Sequence, residues 1–449
     1  MTDAIVLVLA EIWVIVKLVQ QHMVVTSNTL FFLLLKILEN FSSPVSFQKP
    51  NIMKFIVFLI LLINSIYSYS QNKETKVIPL KHSTRYEHEL KLSDIAKQVT
   101  YIPLETNDNC LIGKIYSFTL AKEFIFVNNG GIILQFSLKG KFIRQLNKNG
   151  QGPGEGTVAN IALDEENRLI YFQFSYTYDI IVFNFEGKHI KTIKNPFAKE
   201  TIQSLPVGGM IVYNENILFA FSNENGQMPY KYAVVNSNGE ILHKEINYEK
   251  YFLKERIRES SILPPPFFCY NSSVFFKHNY NDTIFKINQD HTCSPLYVCD
   301  LSKQITLEED MKAGAFVIKY SELSGRNKIN VVRESDEYIY VYHTNSPYDN
   351  DNRKSFFSQY NKLTRQLLPN INRIIINDWD GGMDVRLYSN QSGSTVCFRI
   401  QPFEIKEKLT NEHFSKSQPK YPTQKDALKK LVNGLLEDDN PVLMIIELK

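Results

Sequence analysis

Leu138-Lys139-Gly140-Lys141, Phe185-Glu186-Gly187-Lys188 and Ser237-Asn238-Gly239-Glu240 are three copies of one polar turn, and a worn fourth copy is Asn288-Gln289-Asp290-His291. Steps of 47, 52 and 51 residues separate Gly140, Gly187, Gly239 and Asp290. Each turn joins two short runs rich in β-branched and aromatic residues, the composition of paired strands. Strand-filled units recurring every 40–50 residues or so are the mark of a β-propeller.

Working outward from the first turn, residues 114–120, 123–127, 132–137 and 142–146 read as the four strands of one blade. Residues 161–163, 169–174, 180–185 and 189–193 repeat the pattern. The third unit, 202–246, gives strands at 217–221, 232–236 and 240–244. The fourth gives 267–270, 273–277, 283–287 and 296–299. A fifth has strands at 329–333, 338–343 and 355–360 and near Leu367, and a sixth has 384–389 and 394–400.

Two helical insertions interrupt the repeat. One is expected over 307–320, with Thr306 as N-cap and acids in its first turn. The other is expected over 424–436, capped by Thr423, with Ala427, Leu428, Leu431, Leu435 and Leu436 on one face.

A ring of blades must close or leave open edges. The run Val442-Leu443-Met444-Ile445-Ile446-Glu447-Leu448 is apolar enough for burial on both faces. It is expected to be the third strand of the sixth blade, with residues 99–104 as its outermost strand. The fold class is therefore all-β: a six-bladed propeller covering 99–449, closed by its N- and C-terminal strands and carrying two short helical insertions.

The stretch before it divides further. From Met53, Lys54 is followed by an unbroken apolar run over 55–63, then by Ser68-Tyr69-Ser70. That is the pattern of a cleaved secretory signal over 53–70. Residues 1–52 hold two apolar stretches interrupted by Glu11, Lys17 and Lys36. The expected explanation is a start assigned upstream of the true Met53; a genuine leader would instead keep the protein at a membrane. Residues 71–98 are polar and mixed in charge, a linker. The expected destination is the periplasm or the cell surface.

Formal net charge is +3, of which residues 1–70 contribute +1. So even a balance gives no electrostatic case for nucleic acid. The five cysteines, Cys110, Cys269, Cys293, Cys299 and Cys397, fit no metal spacing. Cys293 and Cys299 could pair across a blade in an oxidising compartment; the alternative is that all five are buried small apolar groups.

Gly150-Gln151-Gly152-Pro153-Gly154-Glu155 follows the first blade. It resembles the Gly-x-Gly-Pro-Gly-Glu loop of a six-bladed β-propeller family found in the envelopes of Gram-negative bacteria, related to NHL-repeat propellers and largely uncharacterised. Tyr101-Ile102-Pro103-Leu104-Glu105, Asn281-Asp282-Thr283-Ile284-Phe285 and Asn440-Pro441-Val442-Leu443 are similar to that family too. Gly156 departs from it, standing where an aromatic usually follows the loop. The resemblance implies the fold and an envelope location.

Candidate ligand-binding residues are Gln151, Glu155, Tyr178, Asp179, Asn281, Asp282 and Trp379. The glycines around Pro153 permit an unusual backbone, and Glu155 either faces a ligand or braces the crossover. Missing Lys-Ser/Thr excludes a phosphate loop. Asp179 and Asn281-Asp282 precede third strands, where such side chains cap turns or ring a face. Trp379 sits in the polar stretch Asn377-Asp378-Trp379-Asp380-Gly381-Gly382, which suits either stacking on a sugar or packing at a blade junction.

No Gly-x-Ser-x-Gly elbow or His-Glu-x-x-His pair occurs. The expectation is an exported, monomeric binding or scaffolding module for a glycan, a peptide or an envelope protein, needing no cofactor. The competing class is a propeller lyase or hydrolase with calcium or zinc in its channel. An aromatic face would favour the first, and converging carboxylates or histidines the second.

Overall fold

The computed structural model describes residues 75–449 except 82–88, 151, 153–154, 176, 199–206, 222, 224–225, 253–266, 279, 315–317, 350, 371–373 and 387–393. The expected signal, the upstream leader and Gln151 lie outside the described residues.

Six sheets form the ring. Blade one is Ile115–Leu120, Phe124–Asn129, Ile132–Ser137 and Phe142–Gln145. Blade two is Val158–Asp164, Leu169–Phe174, Ile180–Asn184 and His189–Ile193. Blade three is Val207–Tyr213, Asn216–Phe221, Tyr230–Val235 and Ile241–Ile246. Blade four is Phe267–Tyr270, Ser273–Phe276, Thr283–Ile287 and Cys293–Cys299. Blade five is Asn327–Glu334, Tyr338–Asn345, Lys354–Asn361 and Leu367–Asn370.

Blade six closes the ring as expected. Val442–Leu448 lies between Thr395–Ile400 and Ala96–Pro103, antiparallel to both. Ala96 faces Leu448 and Pro103 faces Val442. Of the expected 384–389 strand, the described part shows only Val385 bridged to Ile375.

The middle strands are buried along nearly their whole length because a neighbouring blade covers each face. Six apolar clusters fill the six junctions. Phe126 and Phe172 meet between blades one and two, for example, and Ile284 and Val341 between four and five.

The four turns share one hydrogen-bond pattern. Gly140 N–H donates to Ser137 O and Gly187 N–H to Asn184 O, at 2.9 and 3.0 Å. Gly239 N–H donates to Asn236 O and His291 N–H to Asn288 O, at 3.0 and 3.1 Å. The fourth residue takes positive φ each time, +78°, +82° and +89° for the glycines and 70° for His291. The worn copy is thus aligned one residue later than Asp290.

The insertions differ from expectation in their ends. The first helix is Leu307–Gly314, with Thr306 and Glu309 capping each other's N–H groups, and a 3-10 turn at Tyr320–Leu323 follows. The second insertion holds three helices, Pro402–Thr410, Glu412–Lys416 and Pro422–Asn433. The last starts before Thr423 because Pro422 is preset for a first helical position, and it stops at Gly434. Among the described residues no helix is long and apolar enough to cross a membrane.

Two findings concern the flanks. Lys76–Ile78, within the expected linker, adds a fifth strand to blade four, parallel to Cys293–Cys299. Cys293 and Cys299 cannot pair: they are the two ends of one strand, roughly 20 Å apart at ~3.3 Å per residue, whereas a disulfide needs Cα atoms within about 7 Å. All five cysteines are free.

Candidate functional site

In an antiparallel blade whose first strand is innermost, the second-to-third turn and the crossover to the next blade emerge at the same end. Blades one to five therefore build one face from these segments; we call it the connection face. Contacts between the segments hold it together. In blade one, Asn147 donates to Gly131 O and Gly156 O and accepts from Ile133 N–H. In blade three, Asn223 donates to Glu249 O and accepts from Met228 N–H.

Six of the seven candidate residues are described, and five of them lie on this face. Glu155 braces its own loop: its carboxylate accepts from Gly152 N–H at 3.1 Å. A Cβ on Gly150 would fall 2.0 Å from that carboxylate, so a side chain there would displace the brace. Tyr178 has positive φ, 56°. Asp179 beside it ties the turn to the next crossover, accepting from Lys194 Nζ at 2.9 Å and Asn195 N–H at 2.8 Å. Asn281 accepts from Thr283 N–H at 2.7 Å, an Asx-turn, and Asp282 accepts from the Thr283 hydroxyl.

Trp379 is elsewhere. It is 7% exposed, in the cluster joining blades five and six, with Tyr421 at 4.2 Å between ring centroids. Its polar neighbours turn inward: Asn377 accepts from the N–H groups of Trp379 and Asp380, and Asp380 accepts from Gly382 N–H and the Tyr101 hydroxyl. No ring face is left for a sugar to stack on.

A cluster that spacing could not reveal sits between blades four and five. Asp310, on the first helix and 3% exposed, accepts from Tyr280 Oη at 2.6 Å and Lys328 Nζ at 2.8 Å through one carboxylate oxygen. Its other oxygen accepts from Tyr348 Oη at 2.5 Å. Burial first, and Asp310 second, push both tyrosine hydroxyls well above the usual phenol range. They are donors at neutral pH and cannot serve as bases. The four residues come from a second-to-third turn, the insertion, the innermost strand of blade five and its second-to-third turn, and they lock these together.

His278 lies alongside, its ring edge-on to Tyr280 and its Nδ1 3.7 Å from a Glu249 carboxylate oxygen. Burial holds its pKa down at about 4, so it is neutral at physiological pH. Burial likewise lowers Lys277 to about 8; its ammonium donates to the carbonyls of His278 and Asn281. Among the described residues no three His, Cys, Asp or Glu side chains gather as a metal site.

The face also carries outward-facing aromatics. Tyr251, buried, donates its hydroxyl to Asn223 O at 2.5 Å and pins the crossover from blade three to blade four. Tyr248 and Phe252 on that crossover are 80% and 72% exposed.

Comparisons place the chain among known folds. The family model described as a domain of unknown function, DUF4934, matches residues 75–447. A "putative exported protein" from Bacteroides fragilis NCTC 9343 has a similar crystal structure at TM-score 0.58 and 16% identity, covering 83% of this chain and 100% of that one. A DUF4221 member from Bacteroides vulgatus ATCC 8482 scores 0.45 at 11% identity, covering 81% and 99%. Virginiamycin B lyase from Staphylococcus aureus scores 0.33 at 12% identity, covering 61% and 73%. The first likeness is one of fold, and the other two are too slight to argue from. No curated protein matches the chain.

Proposed function

We propose, for a chain that belongs to the DUF4934 family, that it is an exported binding or scaffolding module whose connection face takes a glycan, a peptide or an envelope protein. One observation carries this reading. Tyr248 and Phe252 are held out in solvent by a crossover whose backbone is itself anchored, through Tyr251 and through Asn247, which donates to Met228 O. Large apolar rings in water favour being covered, and an anchored backbone beneath them lowers the entropy lost on binding. The signal-like sequence over 53–70 supports export, as does the description of the Bacteroides fragilis protein.

The test is a binding screen of the purified chain against oligosaccharide, peptide and envelope-protein libraries, repeated with Tyr248→Ala/Phe252→Ala. The reading expects binding that the double variant loses while its melting temperature stays unchanged. Binding that is indifferent to both substitutions would sink it, as would turnover of a library member.

A further inference from the structure

We infer that the channel mouth on the connection face, opened by a repeated β-bulge, takes the carboxylate of a uronate-type sugar through Lys114 and Tyr116; this names a ligand class for the binding reading above and rests on it. The bulge recurs at one place. In blades one, two, three and five the first strand carries one extra residue opposite the step from the fifth to the sixth residue of the second strand. The extra residues are Tyr116, Ala159, Gly208 and Asn330. A β-branched residue precedes each: Ile115, Val158, Val207 and Ile329. Val158 and Ile329 are packed away, at 0% and 2% exposure. A bulge anchored by such a neighbour re-aims the side chain that follows. Tyr116 and Ala159 are accordingly the one exposed residue of their strands, Tyr116 at 51%. The first strands of blades two, three and four lie against one another, which makes them the innermost. Each first strand starts at the connection face, so the bulges sit around the channel mouth.

Charge along these strands decides the ligand class. Two residues before the bulge stand Lys114 in blade one and Lys328 in blade five. Lys328 is neutralised by Asp310. Lys114 is exposed, its ammonium lies 5.1 Å from the centroid of the Tyr116 ring, and among the described residues it meets no carboxylate. The acids of the same strands, Asp164 and Glu334, are last residues at the far end of the channel, and Glu334 is paired with Lys362. The mouth therefore presents positive charge and draws in an anion. Asn330 spends its amide N–H on Thr344 Oγ1 at 2.9 Å, and Asn160, next to the second bulge, spends its own on Gln173 Oε1 at 2.8 Å. Both keep their amide oxygens as acceptors. An ammonium beside a phenol hydroxyl suits a carboxylate, and the amide acceptors suit hydroxyl donors. One ring carrying both groups is a sugar acid.

The experiment is calorimetry of the full chain with oligogalacturonate and oligoglucuronate, and with the same oligosaccharides after reduction of their carboxyl groups. The uronates are expected to bind, and the reduced forms to bind about tenfold more weakly, the loss of one charge-assisted contact. Lys114→Ala and Tyr116→Ala should each weaken uronate binding by a similar factor with no change in melting temperature. Lys114→Arg should keep it, as should Lys139→Ala at the far end of blade one. No uronate binding by the unmodified chain would overturn the inference, as would uronate binding indifferent to both alanine variants. A neutral glycan or a peptide that needs Tyr248 and Phe252 but not Lys114 would overturn it too, and would leave the wider reading intact.

Discussion

Replacing Asp310 by alanine tests whether the insertion is locked to the blades as argued. At 2.8 Å, and at an effective dielectric constant of about 20, the Lys328–Asp310 attraction is worth roughly 6 kcal/mol before desolvation. Removing one partner of a buried pair typically costs about 3–5 kcal/mol, because the other charge stays behind. Lys328 is only 14% exposed and cannot swing fully into water. Two tyrosine hydroxyls lose their acceptor as well, so about 4 kcal/mol is a fair lower expectation. With an unfolding entropy of ~2.1 cal/mol/K per residue over the roughly 375 residues of Glu74–Lys449, this lowers the melting temperature by about 5 °C. Asp310→Leu combined with Lys328→Met removes both charges and should cost clearly less than Asp310→Ala. Urea denaturation and calorimetry on Asp310→Ala, on Asp310→Leu and Lys328→Met singly, and on the double variant give the answer. A loss under about 1 kcal/mol for Asp310→Ala, or a double variant as unstable as the sum of its singles, would show that the cluster is not a coupled unit.

Other consequences can be measured in the same way. His278 binds its proton only near pH 4 when folded but near 6.5 when unfolded, so its contribution of roughly 3 kcal/mol is complete above pH 6.5 and lost as pH falls towards 4; in melting-temperature scans from pH 7.5 to 4.5, His278→Phe should show a shallower acid slope, and an unchanged slope contradicts the assignment. Gly140→Ala and Gly187→Ala should differ although their turns match: both need positive φ, costing about 1–2 kcal/mol, but a Cβ at 140 would also meet Pro103 O at 1.9 Å, whereas at 187 it meets the flexible Arg144 side chain. Equal losses in denaturant midpoints would be wrong for this packing. Truncation after Pro441 removes the middle strand of blade six, including the fully buried Val442, Leu443, Met444 and Ile446; at about 1.5–3 kcal/mol per side chain it should leave no cooperative unfolding transition. With five free cysteines, dithiothreitol should not shift the melting temperature of the fresh protein.

Much of the architecture was legible because it is written locally. A blade needs a turn with positive φ at one place and strands buried on both faces, and Gly140, Gly187 and Gly239 with their apolar flanks state both within about a dozen residues. Closure was legible from Val442–Leu448, since a run apolar on both faces has no stable place at an open edge. What escaped notice depends on distant pairing. Lys76–Ile78 is three residues long, and its partner strand lies over two hundred residues away. Tyr280, Asp310, Lys328 and Tyr348 look individually like surface polar residues; only the fold makes them one cluster. The helix Pro402–Thr410 did carry a readable signal, Gln401 and Glu404 as a capping box with Pro402 at the first helical position. For Trp379 the sequence left two readings open, and the structure shows the packed one: its polar neighbours spend their hydrogen bonds on nearby backbone, on Ser93 and on Tyr101, so the polar stretch is largely buried.

The topology also assigns the two ends of the propeller different tasks. Lys76–Ile78 runs parallel to the outer strand of blade four, which itself runs towards the connection face, so the chain arrives from the turn side. Lys449 lies beside Ile95, to whose carbonyl it donates, and beside Glu337 in the first turn of blade five. Both are on the side that carries Gly140, Gly187 and Gly239. A group fused directly before Lys76 or after Lys449 is therefore joined to the propeller on the far side from Tyr248 and Phe252. Immobilising the protein through its C-terminal end, or through a group fused directly before Lys76, should leave ligand binding by those residues intact, whereas attachment through a cysteine placed at Lys303, in the crossover from blade four to blade five, should block it. Equal binding from the two orientations would mean that the ligand does not meet the connection face.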